Sequence, residues 1–304
     1  MPKGDTAIFN TQETGTETLA DGWVKHSYAQ TRPLPSYLVA FAVGPFDLVD
    51  AGRAGSKGTP VRLAVPRGRA ADAKSSAATT TTLLGYLEDY FGIPYPYEKL
   101  DVVAIPHVVS FGAMENAGLI TFYQQGMIAR PDEDTGEHQR NYADIIAHEM
   151  AHHWFGDLVT MAWWDDVWLN EAFATWMEVK VLSRWRPTWS WETKRVRQVG
   201  VAMREDSLVS ARKVRQEIVS KDDIQNAFDA ITYLKGAALL DMFESWVGPE
   251  AFRKGIQGYL QAHAHGNATS RDFTAAISAA AGKKEDVAAV FASFLDQGGV
   301  PLVK

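Results

Sequence analysis

Along the first fifty residues, apolar positions fall in short runs rather than at helical spacing. Residues 23–28 and 37–49 are rich in aromatic and β-branched side chains, with Gly and Pro between them, and read as strands. A Gly-rich stretch follows at 51–59, and then a short strand around 61–65. Helical spacing first emerges at Leu83, Leu84, Leu87, Tyr90 and Phe91, where Gly92 and Pro94 stop the helix. Residues 100–105 and 119–123 are apolar enough to be buried strands. From Asn141 onward the pattern is mostly helical. Gly248-Pro249 separates two helices, Ser270 can cap a third, and Gly298-Gly299 ends a fourth. Strands first and helices afterwards predict an α+β fold.

Composition narrows the function classes. The 304 residues exceed the usual size of one compact domain, so one large or two unequal domains are expected. With 46% hydrophobic and 22% charged residues, the chain is ordinary for a globular protein. Its formal charge of −7 argues against a nucleic-acid partner and offers no basic patch to anionic membranes. No apolar run approaches the roughly 20 residues of a membrane segment. A charged start without a following apolar stretch predicts no secretory leader. Absence of cysteine excludes disulfides and thiolate metal sites, and leaves compartment and oligomeric state open. Any metal must therefore be held by His and carboxylates.

His148-Glu149-Met150-Ala151-His152 supplies such a set. Two His four apart lie on one helix face, about 40° from eclipsed, so both imidazoles can reach one ion. Apolar Ile145, Ile146, Met150 and Phe155 support a helix there, although five residues alone also fit a surface helix. Glu171 adds a third donor, with eighteen residues between it and His152. That gap lets the first helix end near Gly156 and a second begin near Leu169. Two His and one Glu leave a fourth position open, the coordination of a catalytic rather than a structural zinc. One Zn2+ per chain is the expected occupant. Glu149 is better placed as a general base than as a ligand. Glu178, seven residues beyond Glu171, either orients a ligating His or is an ordinary helix-surface residue. His153 points about 100° away from His152 and reads as packing or surface; His107 and His138 have no motif around them. Eight of ten tryptophans fall between Trp154 and Trp191, which reads as packing around the two ligand-bearing helices.

Three further segments change the picture: Gly112-Ala113-Met114-Glu115-Asn116, Trp154-Phe155-Gly156-Asp157 and Tyr233-Leu234-Lys235-Gly236. Together with His148 to Glu171, they make the chain resemble the aminopeptidase N family of zinc metallopeptidases, the gluzincin aminopeptidases, from about Trp23 to the end. Asp157 stands where that family more often has Asn. The resemblance implies that His148, His152 and Glu171 hold the zinc and that Glu149 activates water. It implies that Tyr233 stabilises the oxyanion, a role its sequence context alone would not suggest. It assigns substrate binding to Gly112, Ala113, Met114, Glu115 and Asn116, with Glu115 on the free α-ammonium and the first two offering backbone groups. It implies a thermolysin-like catalytic domain over 53–304, preceded at 1–52 by the C-terminal part of a β-domain. The ending at 297–301 looks like a junction to a further domain, as in a fragment or a minimal version. The expected partners are peptides with a free amino terminus.

Two rival functions remain on the sequence. One is a hydrolase of the same scaffold acting mainly on another substrate, as epoxide-hydrolysing relatives do; Ala113, where those relatives have Gly, weighs against it. The other is a non-catalytic binding module, which has no physical need for Glu149.

Overall fold

A computed structural model describes residues 1–106, 112–282 and 286–300; His107 and Pro301 lie outside them. The chain divides into two compact units, Met1–His153 and Trp154–Lys304.

The first unit opens with β1 (Thr6–Phe9), β2 (Glu13–Thr18), β3 (Val24–Tyr28) and β4 (Phe41–Gly44). β2 and β3 form an antiparallel pair, as do β1 and β4. β3 lies where the aromatic and β-branched pattern places it. β2 escapes that pattern because Thr and Glu fill it and it is exposed throughout. Next come β5 (Phe46–Ala54), β6 (Thr59–Pro66), α1 (Lys74–Phe91), β7 (Leu100–Ile105), β8 (Ala113–Met114), β9 (Leu119–Tyr123), α2 (Gln124–Met127) and α3 (Gly136–His152). The Gly-rich stretch at 51–59 is entered by strand pairing from both sides. β5 runs through an irregularity between Asp50 and Arg53 to Ala54, and the tight turn is confined to Gly55–Gly58.

These strands form one sheet in the order β5-β6-β7-β9-β8. β6, β7 and β9 are parallel, and β5 and β8 are antiparallel edges. β7 is buried at every residue but Ile105, and β9 is buried at Leu119, Ile120 and Phe122, as befits parallel strands covered on both faces. α1 ends at Phe91 as its spacing requires, with Gly92 at φ +64 donating to the Glu88 carbonyl. The Glu88 carboxylate accepts from the backbone N–H of Ser56 (2.6 Å) and Tyr95 (2.7 Å), tying the helix end to the β5–β6 turn. α3 begins earlier than Asn141 because the Thr135 hydroxyl caps it. Tyr142 locks α3 in place: its hydroxyl meets that of Thr80 on α1 at 2.7 Å, and its ring lies 5.1 Å from that of Phe122 on β9.

The second unit contains β10 (Val159–Met161), α4 (Val167–Trp185), α5 (Trp191–Asp206), α6 (Lys221–Asn226), a π turn (Ile231–Lys235), α7 (Gly236–Val247), α8 (Pro249–His263), β11 (Gly266–Ala268), α9 (Ser270–Ala281) and α10 (Val287–Leu295). β10 and β11 pair in parallel. Stacked aromatic rings knit the helices: Phe155 on Phe173 at 3.5 Å, and Phe243 on Phe291 at 3.9 Å. Trp154, Trp168 and Trp191 are fully buried, so packing is what these tryptophans do; Trp163 is exposed. Gly248-Pro249 does divide α7 from α8. The cap of α9 is Thr269 rather than Ser270, because Thr269 and Asp272 satisfy each other's backbone N–H groups in a capping box. α10 stops at Leu295, ahead of Gly298-Gly299. Among the described residues, no helix is long and apolar enough to cross a membrane.

Gly118, between β8 and β9, sits at φ +69, and a Cβ there would lie 2.6 Å from the Asn10 carbonyl oxygen. Gly118→Ala therefore combines backbone strain with a steric clash and should destabilise by about 2–4 kcal/mol in urea denaturation. A loss below about 0.5 kcal/mol, the range of neutral surface changes, would contradict this close approach.

Candidate metal centre

α3 carries two of the three candidate ligands and the candidate base. His152 and Glu149 are buried and His148 is partly exposed. The rings of His148 and His152 meet edge to face with centroids 4.7 Å apart, and their Nε2 atoms approach to 3.1 Å. This is the i, i+4 geometry expected of two His on one helix face. α4 supplies the third group. Glu171 stands on its second turn and is buried, as are most side chains of this helix. One ligand atom from each of His148, His152 and Glu171 lies within 4.8 Å of the others.

The donor set suits zinc. Two imidazole nitrogens and a carboxylate oxygen are ordinary zinc ligands, and no thiolate is present. Bonds of about 2.0–2.1 Å at tetrahedral angles place two nitrogens about 3.3 Å apart, close to the 3.1 Å between the two Nε2 atoms. The three groups can thus hold one metal ion.

Gly112, Ala113, Met114, Glu115 and Asn116 form the other feature. Ala113 and Met114 are β8, at the edge of the sheet, paired with Phe122 and Thr121 of β9. The Gly112 carbonyl accepts from Tyr123 N–H at 2.8 Å. Among the described residues, a Cβ at Gly112 would meet only the Tyr123 ring, at an ordinary 3.6 Å, so their packing does not demand glycine there. Glu115 and Asn116 follow and are buried.

Several residues that brace this turn have no sequence signature. Asn10, on the chain beside β1, donates to the carbonyls of Leu38 and Ala117, both at 2.9 Å, and accepts from Ala40 N–H at 2.8 Å. The Asn116 amide donates to the same Leu38 carbonyl at 3.4 Å, and its oxygen accepts from Thr121. Buried Lys99 donates to the Gly118 carbonyl and pairs with Asp101, each at 2.8 Å. Burial pulls the Lys99 ammonium below its usual range, and Asp101 opposes the shift. Arg62 grips Asp101 from the other side with two bonds of 2.8 Å. His153 is fully buried, with its ring 5.3 Å from Tyr95 and 5.7 Å from Tyr97, which makes it a packing residue rather than a surface one. Burial foremost, and His152 beside it, push the His153 imidazole down to about 3 against the opposing influence of the Asn116 and Glu115 backbone.

In the second unit, Glu178 is buried and pairs with Lys194 on α5 at 2.6 Å, so it is not a helix-surface residue. Tyr233 lies within the π turn, just before α7. A Cβ added to Gly236 would lie 2.5 Å from the Cβ of Ala172, the residue after Glu171. Glycine at 236 thus lets the start of α7 close onto α4 beside the carboxylate donor.

Comparisons with known proteins place the chain in a family. A model of the Peptidase family M1 domain matches residues 76–294. Glutamyl aminopeptidase of Bos taurus is 36% identical over 298 residues, covering 98% of this chain and 31% of the relative. Aminopeptidase M1-A of Oryza sativa subsp. japonica is 36% identical over 310 residues, covering 98% of this chain and 35% of the relative. Aminopeptidase M1 of Arabidopsis thaliana is 36% identical over 277 residues, covering 91% and 31%. The chain spans about a third of the length of these curated relatives. A family model covering more than half of the chain, with relatives aligned along nearly all of it, establishes that this chain belongs to peptidase family M1.

Proposed function

We propose that this chain carries the catalytic centre of a zinc-dependent aminopeptidase, which hydrolyses the first peptide bond of a peptide with a free amino end. The observation that carries the reading is the convergence of the His148, His152 and Glu171 donors beside a buried carboxylate, Glu149, on the same helix. The names of the relatives point the same way. On this reading residues 53–304 are a thermolysin-like catalytic domain, and residues 1–52 are the closing part of a β-domain.

When bound, a zinc ion supplies Lewis acidity, polarising a carbonyl and making water acidic near neutral pH. The chain's own residues do the rest. The edge strand β8 offers backbone groups to an extended peptide, as the edge of a sheet readily does. Glu115 pairs with the α-ammonium and fixes the amino end, so that only the first peptide bond reaches the reacting position. Glu149 takes a proton from the attacking water and delivers it to the leaving amine, so that water and peptide become a free amino acid and a shortened peptide. Tyr233 donates a hydrogen bond to the oxyanion that develops at the attacked carbonyl.

Glu149→Gln removes the base and keeps the metal ligands. Turnover of an amino-acid p-nitroanilide should fall by roughly 10²–10⁴-fold, with metal content per chain unchanged. Retention of more than about a tenth of the activity would be too much for loss of a general base. Tyr233→Phe should lower kcat by roughly 10²–10³-fold with little change in KM, because the hydroxyl acts on charge present only in the transition state; an effect confined to KM would return Tyr233 to a packing role. Because Glu115 is buried rather than open to water, its pairing should be stronger than that of a surface ion pair, whose worth is only about 0–1 kcal/mol. Acetylating the substrate amine should reduce kcat/KM at least about thirtyfold, and Glu115→Ala should erase most of that contrast. Equal cleavage of free and acetylated peptides would reassign the chain as an endopeptidase.

A further inference from the structure

Tyr233 sits at the centre of a π turn, in which Gly236 N–H reaches back to the Ile231 carbonyl. Such a turn inserts one residue beyond the α-helical count and is a less stable conformation than the helix around it. It persists only where its surroundings hold it. Two ion pairs flank this one, Arg212–Asp229 and Asp206–Lys235.

At the start of the turn, Asp229 Oδ1 accepts from the backbone N–H groups of Ile231 (2.9 Å) and Thr232 (3.1 Å). The Asp229 carbonyl accepts from Tyr233 N–H at 3.1 Å. Arg212 grips the same carboxylate with both arms of its fork, Nε to Oδ2 at 2.9 Å and Nη2 to Oδ1 at 2.6 Å. Nη2 also donates to the Thr232 hydroxyl at 2.5 Å and to the Ala227 carbonyl at 3.1 Å. Nη1 donates to the carbonyls of Lys213 (2.8 Å) and Val214 (3.3 Å), and a planar guanidinium anchored on all sides leaves the carboxylate little freedom.

At the end of the turn, Lys235 Nζ donates to Asp206 at 2.9 and 2.8 Å and to the Gln297 carbonyl at 3.1 Å. Asp206 accepts in addition from Gly299 N–H at 3.0 Å. Both side chains are almost wholly buried, so each charge depends on the other. Gly236 comes next, where the close approach to Ala172 seats the turn against α4.

We propose that Arg212, Asp229, Asp206 and Lys235 are positioning residues for Tyr233. The two ion pairs hold the π turn at both ends, so that the tyrosine hydroxyl is aimed before substrate arrives. This rests on the proposed role of Tyr233 in the reaction. Neither pair touches substrate. Their effect is on where one hydroxyl stands, and a displacement of about 1 Å can cost up to 10²-fold in rate.

The test is a double-mutant cycle on the metal-loaded full chain, assayed with amino-acid p-nitroanilides. Arg212→Gln is the main variant, because its partner Asp229 is partly exposed and can be solvated when the guanidinium is lost. Asp206→Asn is the second, and far-UV circular dichroism and metal content are matched for all forms. In the unmutated background, Arg212→Gln should lower kcat roughly ten- to a hundredfold with KM nearly unchanged. In the Tyr233→Phe background the same change should have less than about a twofold effect, because there is no hydroxyl left to misplace. Arg212→Lys, which keeps the charge but not the fork, should restore only part of the rate. Equal fractional losses in both backgrounds, or a loss seen in KM, would make the pairs ordinary stabilising contacts and overturn the inference. If Tyr233→Phe alone leaves kcat unchanged, the role of Tyr233 itself fails and the inference falls with it.

Discussion

Two imidazole nitrogens 3.1 Å apart on one helix face set the terms for the rest of the molecule. Their lone pairs point towards a common region, which is unfavourable unless a shared proton or a cation takes them both. With a carboxylate oxygen of Glu171 within 4.8 Å, the arrangement favours a cation. Such a set has to be held before the ion arrives, because a site that must be assembled on binding loses affinity. α3 is therefore tied to α1 through Thr80 and Tyr142 and packed on β9 through Phe122, while its last turn is buried down to His153.

The same demand for rigidity explains the buried charges. Charges removed from water are tolerated only when their partners are complete. In the first unit Lys99, Asp101 and Arg62 form such a group, and Lys99 spends one bond on the carbonyl of Gly118, just past Glu115 and Asn116. In the second unit, Lys194 and Glu178 tie α5 to α4, and Lys180 and Glu244 tie α7 to α4. The links through Glu178 and Lys180 both end on α4, which bears Glu171. Their contribution to stability is modest; what they fix is geometry.

Much of the framework was legible in the sequence because burial wrote it there. The central strands Leu100–Ile105 and Leu119–Tyr123 are mostly apolar, interrupted only by Asp101 and Thr121, and the structure finds them with those limits. The four-residue spacing of His148 and His152 survives as one helix face, and Glu171 does fall near the start of a second helix. Elements fixed by side-chain hydrogen bonds were harder to read. β2 carries no apolar signal, and the start of α3 is set by one threonine hydroxyl. At α9, Thr269 wins the cap over Ser270 because Asp272 is correctly spaced to reciprocate. Asn10 and the ion pairs around Tyr233 join positions far apart in the chain, and no local pattern announces them. The π turn is of this kind too, since Ile231–Lys235 reads locally as the start of an ordinary helix.

The central claim is that His148, His152 and Glu171 hold one catalytic zinc ion. X-ray absorption at the zinc edge, on protein loaded with one equivalent of zinc, tests it most directly. The account predicts four nitrogen or oxygen neighbours at about 2.0–2.1 Å with outer-shell scattering from two imidazoles. It also predicts that one imidazole is lost in His148→Ala. Six oxygen neighbours with no imidazole scattering, or a spectrum unchanged by His148→Ala, would contradict it.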